Sequence, residues 1–452
     1  MTTPPAAPGT EAPTSSGYPI SFKRRFGTAI LWNLIASVSN QGSTFAVNLI
    51  LANVLGRSAF GQYAIVLSTI QLATLVAGMA MGYTATRYIA EFRSTDRRRA
   101  GRVLTFCVAI GSGAAAIAAL VFLTLAVPIA GLLKEPALVP LVQLAAGTAL
   151  FAVVNGVLTG ALAGLEAYAV LARIGVVSGL LYTAVCVALG LRWHLAGAVG
   201  GLAVSAAIQT ALLARALPVR MHTEGIRFER AGFGAERAIV ARFALPSALA
   251  GASYAAALWT GQALLARQGN GYAELAGYVA AMNLTSIVLF APSVANSVGN
   301  SLLNNIGTTR GGIAYRIAFG LNLWATVALV TVGAGVVALA GRVLLGFYGA
   351  GFTAALPVLL LLLGGAIPES LTTALFQIMQ TKHRMWSGLR SVILPRDLTF
   401  ALAAVLWIPV AGARGLAGAY LVGRLVGLMS AFLLSRRLHG VDHAQLAGAA
   451  AP

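Results

Sequence analysis

Arg424 and Glu369 each stand near the middle of a long apolar run, and Arg396 and Asp397 stand several residues into another, just behind Pro395. Arg87 and Glu91 lie one helical turn apart near the end of a fourth. An ionisable group in such surroundings is costly against lipid, so by default it faces a cavity, a pathway or an opposite charge. Arginines in a wet cavity can receive an oxyanion such as phosphate, fork to fork. The carboxylates of Glu369 and Asp397 are suited to exchanging protons or a small cation. Plainer roles stay open at the same positions: a surface pair of Arg87 with Glu91, and a structural ion pair holding Arg396 and Asp397 between neighbouring helices.

Amides form a second set. Asn40 and Gln41, with Asn33 and Asn48, mark one apolar run, Asn33 and Asn40 being seven apart on one helical face. Asn283, Asn296 and Asn300 mark another, with Asn304 and Asn305 beyond them. Such groups either tie helices together, at about 0.6–2 kcal/mol each, or line a cavity for a ligand rich in hydroxyls. Other chemistry has little support. The lysines Lys23, Lys134 and Lys382 sit in no Gly-x-x-x-x-Gly-Lys phosphate loop, so ATP hydrolysis is not expected of this chain. The five histidines lack ligand spacing, and Cys107 and Cys186 lie in apolar runs as small hydrophobes. No metal, cofactor or catalytic residue is expected, and no loop is long enough for a catalytic domain.

The elements that must position these residues follow from composition. Of 452 residues 58% are hydrophobic and 10% charged, against about 25% charged in soluble domains. The expected fold class is an all-α polytopic membrane protein. Apolar segments recur near 28–55, 61–88, 103–127, 139–162, 174–191 and 196–216, then near 243–266, 276–301, 313–339, 356–379, 391–411 and 415–435. These read as twelve spans, the short fifth being the weakest. With the N-terminus inside, 24 of the 31 Lys and Arg fall on cytoplasmic segments and helix ends, while the external loops hold six: Arg57, Lys134, Arg192, Arg267, Arg342 and Arg414. Both termini are therefore expected in the cytoplasm, and the net charge of +19 calls for no nucleic acid.

Residues 1–22 and 439–452 read as disordered tails, 217–242 as a basic cytoplasmic linker along the membrane surface, and 23–216 and 243–438 as six-helix lobes around a cavity. An offset of 221 aligns Leu195-Ala196-Gly197-Ala198 with Leu416-Ala417-Gly418-Ala419, and a second echo pairs Gly61-Gln62-Tyr63 with Ala276-Gly277-Tyr278. Equivalent spans run the same way in both halves, as in parallel repeats about the membrane normal. Gly156-x-x-x-Gly160-x-x-x-Gly164 reads as a close helix contact.

Leu51-Ala52-Asn53-x-Leu55-Gly56 with Phe60-Gly61-x-Tyr63, Arg87-Tyr88-Ile89-Ala90-Glu91, and Ile408-Pro409 with Gly415-Leu416-Ala417-Gly418-Ala419 resemble the span junctions of Wzx-type polysaccharide-export flippases. That family belongs to the multidrug/oligosaccharidyl-lipid/polysaccharide superfamily and is related to the lipid II flippase MurJ; the likeness covers residues 23–438. Two positions depart from its pattern: Asn53, where an arginine is common, and Arg396-Asp397, where an asparagine is common. The resemblance implies a MATE-like fold in a bacterial inner membrane and export of a polyprenyl-pyrophosphate-linked oligosaccharide. It also implies a cationic lumen, here Arg424, Arg396 and Arg87; the mechanism expected from the residues themselves gives Asn40, Gln41, Asn283, Asn296 and Asn300 the sugar hydroxyls and Glu369 or Asp397 the coupling to protons or sodium. Expected partners are the lipid-linked oligosaccharide, membrane lipids and a polysaccharide polymerase or ligase complex. The competing readings are a cation-coupled multidrug exporter of the same superfamily, a membrane polymerase or ligase, and a scaffold that transports nothing.

Overall fold

The structure is a computed structural model and describes residues 20–78, 81–229, 245–309, 312–381 and 385–448. Its elements are α1 (Ile20–Gly78), α2 (Met81–Phe92), α3 (Arg97–Thr124), α4 (Ala126–Leu132), α5 (Val139–Gly164), α6 (Tyr168–Glu224), α7 (Leu245–Ala266), α8 (Gly271–Thr309), α9 (Gly312–Gly346), α10 (Leu356–Thr381) and α11 (Leu394–Gly448). A π-helical turn, Leu389–Ile393, leads into α11. Among the described residues there is no strand, and eight helices are long and apolar enough to cross a membrane. The protein is an all-α polytopic membrane protein, as the composition demanded.

Three helices, α1, α6 and α11, run to 59, 57 and 55 residues, each enough for two crossings of roughly 20 residues. All three are broken where the sequence separates successive spans: at Gly56 (φ 74°, ψ 172°), at Trp193-His194 (His194 φ 49°, ψ −130°) and at Gly412 (φ 54°, ψ −129°). Past the last two breaks the chain doubles back on itself. Gly197 sits against the Leu189 carbonyl and Gly201 against Cys186, while Gly415 sits against the Trp407 carbonyl and Gly427 against the Arg396 stem.

His194 and Gly412 share one backbone conformation. Each is followed three residues later by a glycine packed on the carbonyl eight residues before it. The two halves are therefore in register here at an offset of 218, from His194 to Gly412, and not at 221. The Leu-Ala-Gly-Ala identity slides the repeat by three residues, nearly one helical turn, where Ala- and Leu-rich helices match well in either register. The other echo holds: Tyr63 and Tyr278 are both fully buried near the starts of their spans.

Small residues set the helix spacing. A Cβ on Gly160 would overlap the Gly82 carbonyl, and one on Gly164 would lie 2.8 Å from Ile89. The Thr86 hydroxyl donates to the carbonyls of Gly82 and Gly160, each at 3.0 Å. Thus α2 rides directly on α5, as the glycine spacing predicted. Large apolar side chains point outward, with Leu339 of α9 and Val410 of α11 almost fully exposed, where lipid is their solvent. At the end of α6, Gly225 turns left-handed (φ 67°). Glu229 then donates its N–H to the Thr105 hydroxyl of α3 at 3.1 Å. The rest of the expected linker, from residue 230, lies outside the described residues.

Candidate functional site

The two halves of the chain meet first around the Gly56 break. Asn53 donates to the Phe347 carbonyl at 2.7 Å, and Arg57 to the Ala273 carbonyl at 3.2 Å. Tyr272 donates to the Leu133 carbonyl at 3.1 Å, and Phe60 packs edge-on against Phe352 with ring centres 6.2 Å apart. Gly61 lies so close to the Tyr272 carbonyl that a Cβ there would overlap it. Further along α1, Trp259 donates to the Thr69 hydroxyl at 2.9 Å. Beyond that bond the halves part around a cavity of about 700 Å³, with walls from the end of α1, α2, α5 and α7. Past the cavity the halves touch again, where a Cβ on Gly251 would lie 3.4 Å from the Leu75 side chain.

Tyr254 of α7 forms part of the cavity wall. Behind its ring lie the deep charges that the sequence singled out. The Arg424 guanidinium stands 4.5 Å from the centre of the Tyr254 ring and 4.8 Å from that of Tyr420; Arg396 stands 5.5 Å from Tyr254. Arg424 pairs with Glu369 at 3.2 Å, and Tyr420 donates its hydroxyl to the same carboxylate. Arg396 pairs with Asp397 at 2.7 Å, and Ser253 donates to Asp397. Arg424 and Asp397 are buried, and the Arg424 Nε has no hydrogen-bond partner. Cation–π contact and charge pairing together make such burial tolerable.

Local sequence explains the assembly. Gly365, one turn before Glu369, leaves room for the Tyr420 ring, which a Cβ there would meet at 2.5 Å. Gly423 and Gly427 flank Arg424 and admit the backbone and stem of Arg396, so the two limbs of α11 lie close. Pro395 has no N–H to give the preceding turn, and the helix widens to π geometry over Leu389–Ile393 just before it.

The other expected site residues are placed elsewhere. Arg87 is exposed on α2 beside the Tyr88 ring, 5.5 Å from its centre, apart from the arginines behind Tyr254. Asn40 is exposed, Gln41 and Asn283 are half-buried, and none of the three lines the cavity. Asn296 is buried and accepts from Asn322 (3.0 Å) and Thr326 (3.2 Å) of α9, which is the helix-tying role. The side chain of Asn300, like that of Asn33, lies outside the described residues. The lumen is also not simply cationic, since Arg424 and Arg396 each face an acid. Residues unread in the sequence take part instead: Tyr254, Tyr420 and Ser253 around the charges, and Gln71 and Asn155 in the cavity wall. Asn155 donates to the Ala206 carbonyl (3.2 Å) and Gln209 (3.3 Å) and accepts from Thr210 (2.8 Å). A polar residue at span centre, Asn155, was visible by the same logic that found the other amides; the tyrosines carried no such signal.

A model of the polysaccharide biosynthesis protein family matches residues 26–300, well over half the chain. The chain belongs to that family. No curated protein matches it in sequence. Among solved structures, a multidrug resistance MATE family transporter of the MOP superfamily in an inward-facing conformation superposes with a TM-score of 0.75 at 16% identity, over 92% of this chain and 99% of that one. The outward-facing conformation of such a transporter gives 0.69 at 16% identity, over 93% and 97%. A MOP superfamily transporter from Pyrococcus furiosus, described by the reversed polarity of its binding pocket, gives 0.64 at 16% identity, over 92% and 95%. At that identity the likeness establishes the fold, which is MATE-like as expected.

Proposed function

We propose that this member of the polysaccharide biosynthesis family turns a polyprenyl-pyrophosphate-linked oligosaccharide from the cytoplasmic to the external leaflet of a bacterial inner membrane by alternating access. The family supports the glycan, and the transporter fold supports the movement. The observation that carries the reading is Arg424, a buried guanidinium with an unpartnered Nε, one aromatic ring away from the cavity between the halves. In this reading the chain crosses twelve times with both termini in the cytoplasm, and the cavity opens inward.

The head group is anionic and hydroxylated, so it cannot cross hydrocarbon unaided, whereas the polyprenyl tail stays in lipid. The head group meets Arg87 at the inner end of α2. Its phosphates then displace Glu369 and Asp397 from Arg424 and Arg396, which hold oxyanions by forked, charge-assisted bonds. The displaced carboxylates are the groups that couple to protons or sodium. Rocking of the lobes parts the contacts around Gly56 and exposes the head externally, where a polymerase or ligase complex takes it. Moving two negative charges outward gains about 4–5 kcal/mol per 100 mV, inside negative, so ATP is not required.

Deletion of the gene in its native host tests this. Lipid-linked repeat units should accumulate while surface polysaccharide falls, and wild type but not Arg424→Ala should restore both pools; unchanged pools in a host with no second flippase would refute the substrate. A second reading, an organic-cation exporter, is favoured by the aromatic cavity wall, in which the described residues carry no charge. Binding of a lipophilic cation in preference to polyprenyl pyrophosphate would select it.

A further inference from the structure

Among the described residues, the cavity wall carries no lysine, arginine, histidine or carboxylate. Its polar groups are hydroxyls and amides, and the donors of four of them are already spent. Thr86 donates to the carbonyls of Gly82 and Gly160, Ser68 to Ile65 and Thr74 to Gln71, while the Asn155 amide donates to Ala206 and Gln209. What remains toward the cavity is oxygen lone pairs, the neutral donors of the exposed Gln71 amide and the exposed Tyr83 and Thr159 hydroxyls, and the ring faces of Tyr83 and Tyr254.

That inventory discriminates between ligands. A phosphate or a carboxylate carries full negative charge, and in this wall it would meet a few neutral donors and no counter-charge from the described residues. An uncharged sugar brings several O–H donors, which the spent hydroxyls can accept, and an apolar C–H face, which the tyrosine rings can cover. A cavity of about 700 Å³ lies within the roughly 300–1,000 Å³ usual for small-molecule sites.

We propose that this cavity is a subsite for the uncharged sugars of the head group, set apart from the arginines by the Tyr254 ring, and that it excludes sugars bearing acid groups. The proposal rests on the flippase reading and divides its substrate between the lobes: glycan in the cavity, phosphates at Arg424 and Arg396.

Binding to the purified full-length protein in lipid nanodiscs tests it with three probes: polyprenyl pyrophosphate alone, the same lipid carrying a neutral disaccharide, and the same lipid carrying a uronic-acid disaccharide. Wild type should prefer the neutral glycolipid to the bare lipid, and the bare lipid to the acidic one. Gln71→Ala and Tyr83→Ala, both at exposed positions that leave the packing intact, should lower the neutral-to-bare affinity ratio about tenfold. Gln71→Lys should raise the affinity for the acidic glycolipid. An unchanged ratio in both alanine variants, or equal wild-type affinity for the neutral and acidic glycolipids, overturns the subsite. Failure of wild type to bind even the bare polyprenyl pyrophosphate would instead overturn the flippase reading beneath it.

Discussion

Arg424 and Glu369 hold each other in place. Removing either partner of a buried pair leaves the other charge uncompensated, at a cost of about 3–5 kcal/mol. Glu369 is partly accessible, with 26% of its side chain exposed, which puts the expected loss at the lower end. Arg424→Met and Glu369→Leu should each lower the melting temperature in detergent, and the double variant should recover most of the loss while transport stays abolished. Recovery of transport in the double variant would show that the pair is only structural. These charges were legible in the sequence because lipid makes a buried ion conspicuous. Tyr254 and Tyr420 were not, since a tyrosine within an apolar run has no unusual cost and its neighbours are set by tertiary packing. The amides left two readings open for a related reason: Asn296 ties α8 to α9, and nothing in the chain order distinguishes a tie from a cavity wall.

At the scale of elements, the reversals inside α6 and α11 use one backbone conformation, with φ near +50° and ψ near −130°. Gly412 adopts it freely, whereas a β-carbon at His194 is strained there, by about 1–3 kcal/mol. His194→Gly should therefore stabilise the protein by about 1 kcal/mol, read as a raised melting temperature. Gly412→His should destabilise it by more, because a side chain there would run into Glu274, whose carboxylate accepts the Ala413 N–H at 2.7 Å. On α10, Gly365→Leu would displace the Tyr420 ring, costing about 1–3 kcal/mol by overpacking, while Gly364→Ala, facing only Leu421 at 3.7 Å, should be tolerated. Span positions were readable from hydropathy because each crossing needs its own apolar run. The 218-residue register was not, because it resides in turn geometry that Ala-Leu-Gly composition leaves unmarked.

For the whole molecule, the proposed flippase reading takes the end around Gly56, where the lobes hold each other, as external and requires it to open for export. Asn53 and Gly349 lie across that contact, with a Cβ on Gly349 only 3.1 Å from the Asn53 amide oxygen. An Asn53→Cys, Phe347→Cys pair, at positions joined by the Asn53 bond to the Phe347 carbonyl, should stop export once bridged by a short bismaleimide, while either single variant treated alike should not; full export with the bridge intact would mean the lobes do not part there. The central claim is tested most directly in proteoliposomes. A polyprenyl-pyrophosphate oligosaccharide with a fluorescent sugar is placed in both leaflets, and an impermeant quencher reports how fast label leaves the leaflet that corresponds to the cytoplasm. Wild-type protein should speed that transfer, faster still under a potential negative on the cytoplasmic side, and Arg424→Ala should fall to the rate of empty vesicles. Equal rates for wild type, variant and empty vesicles would contradict the account.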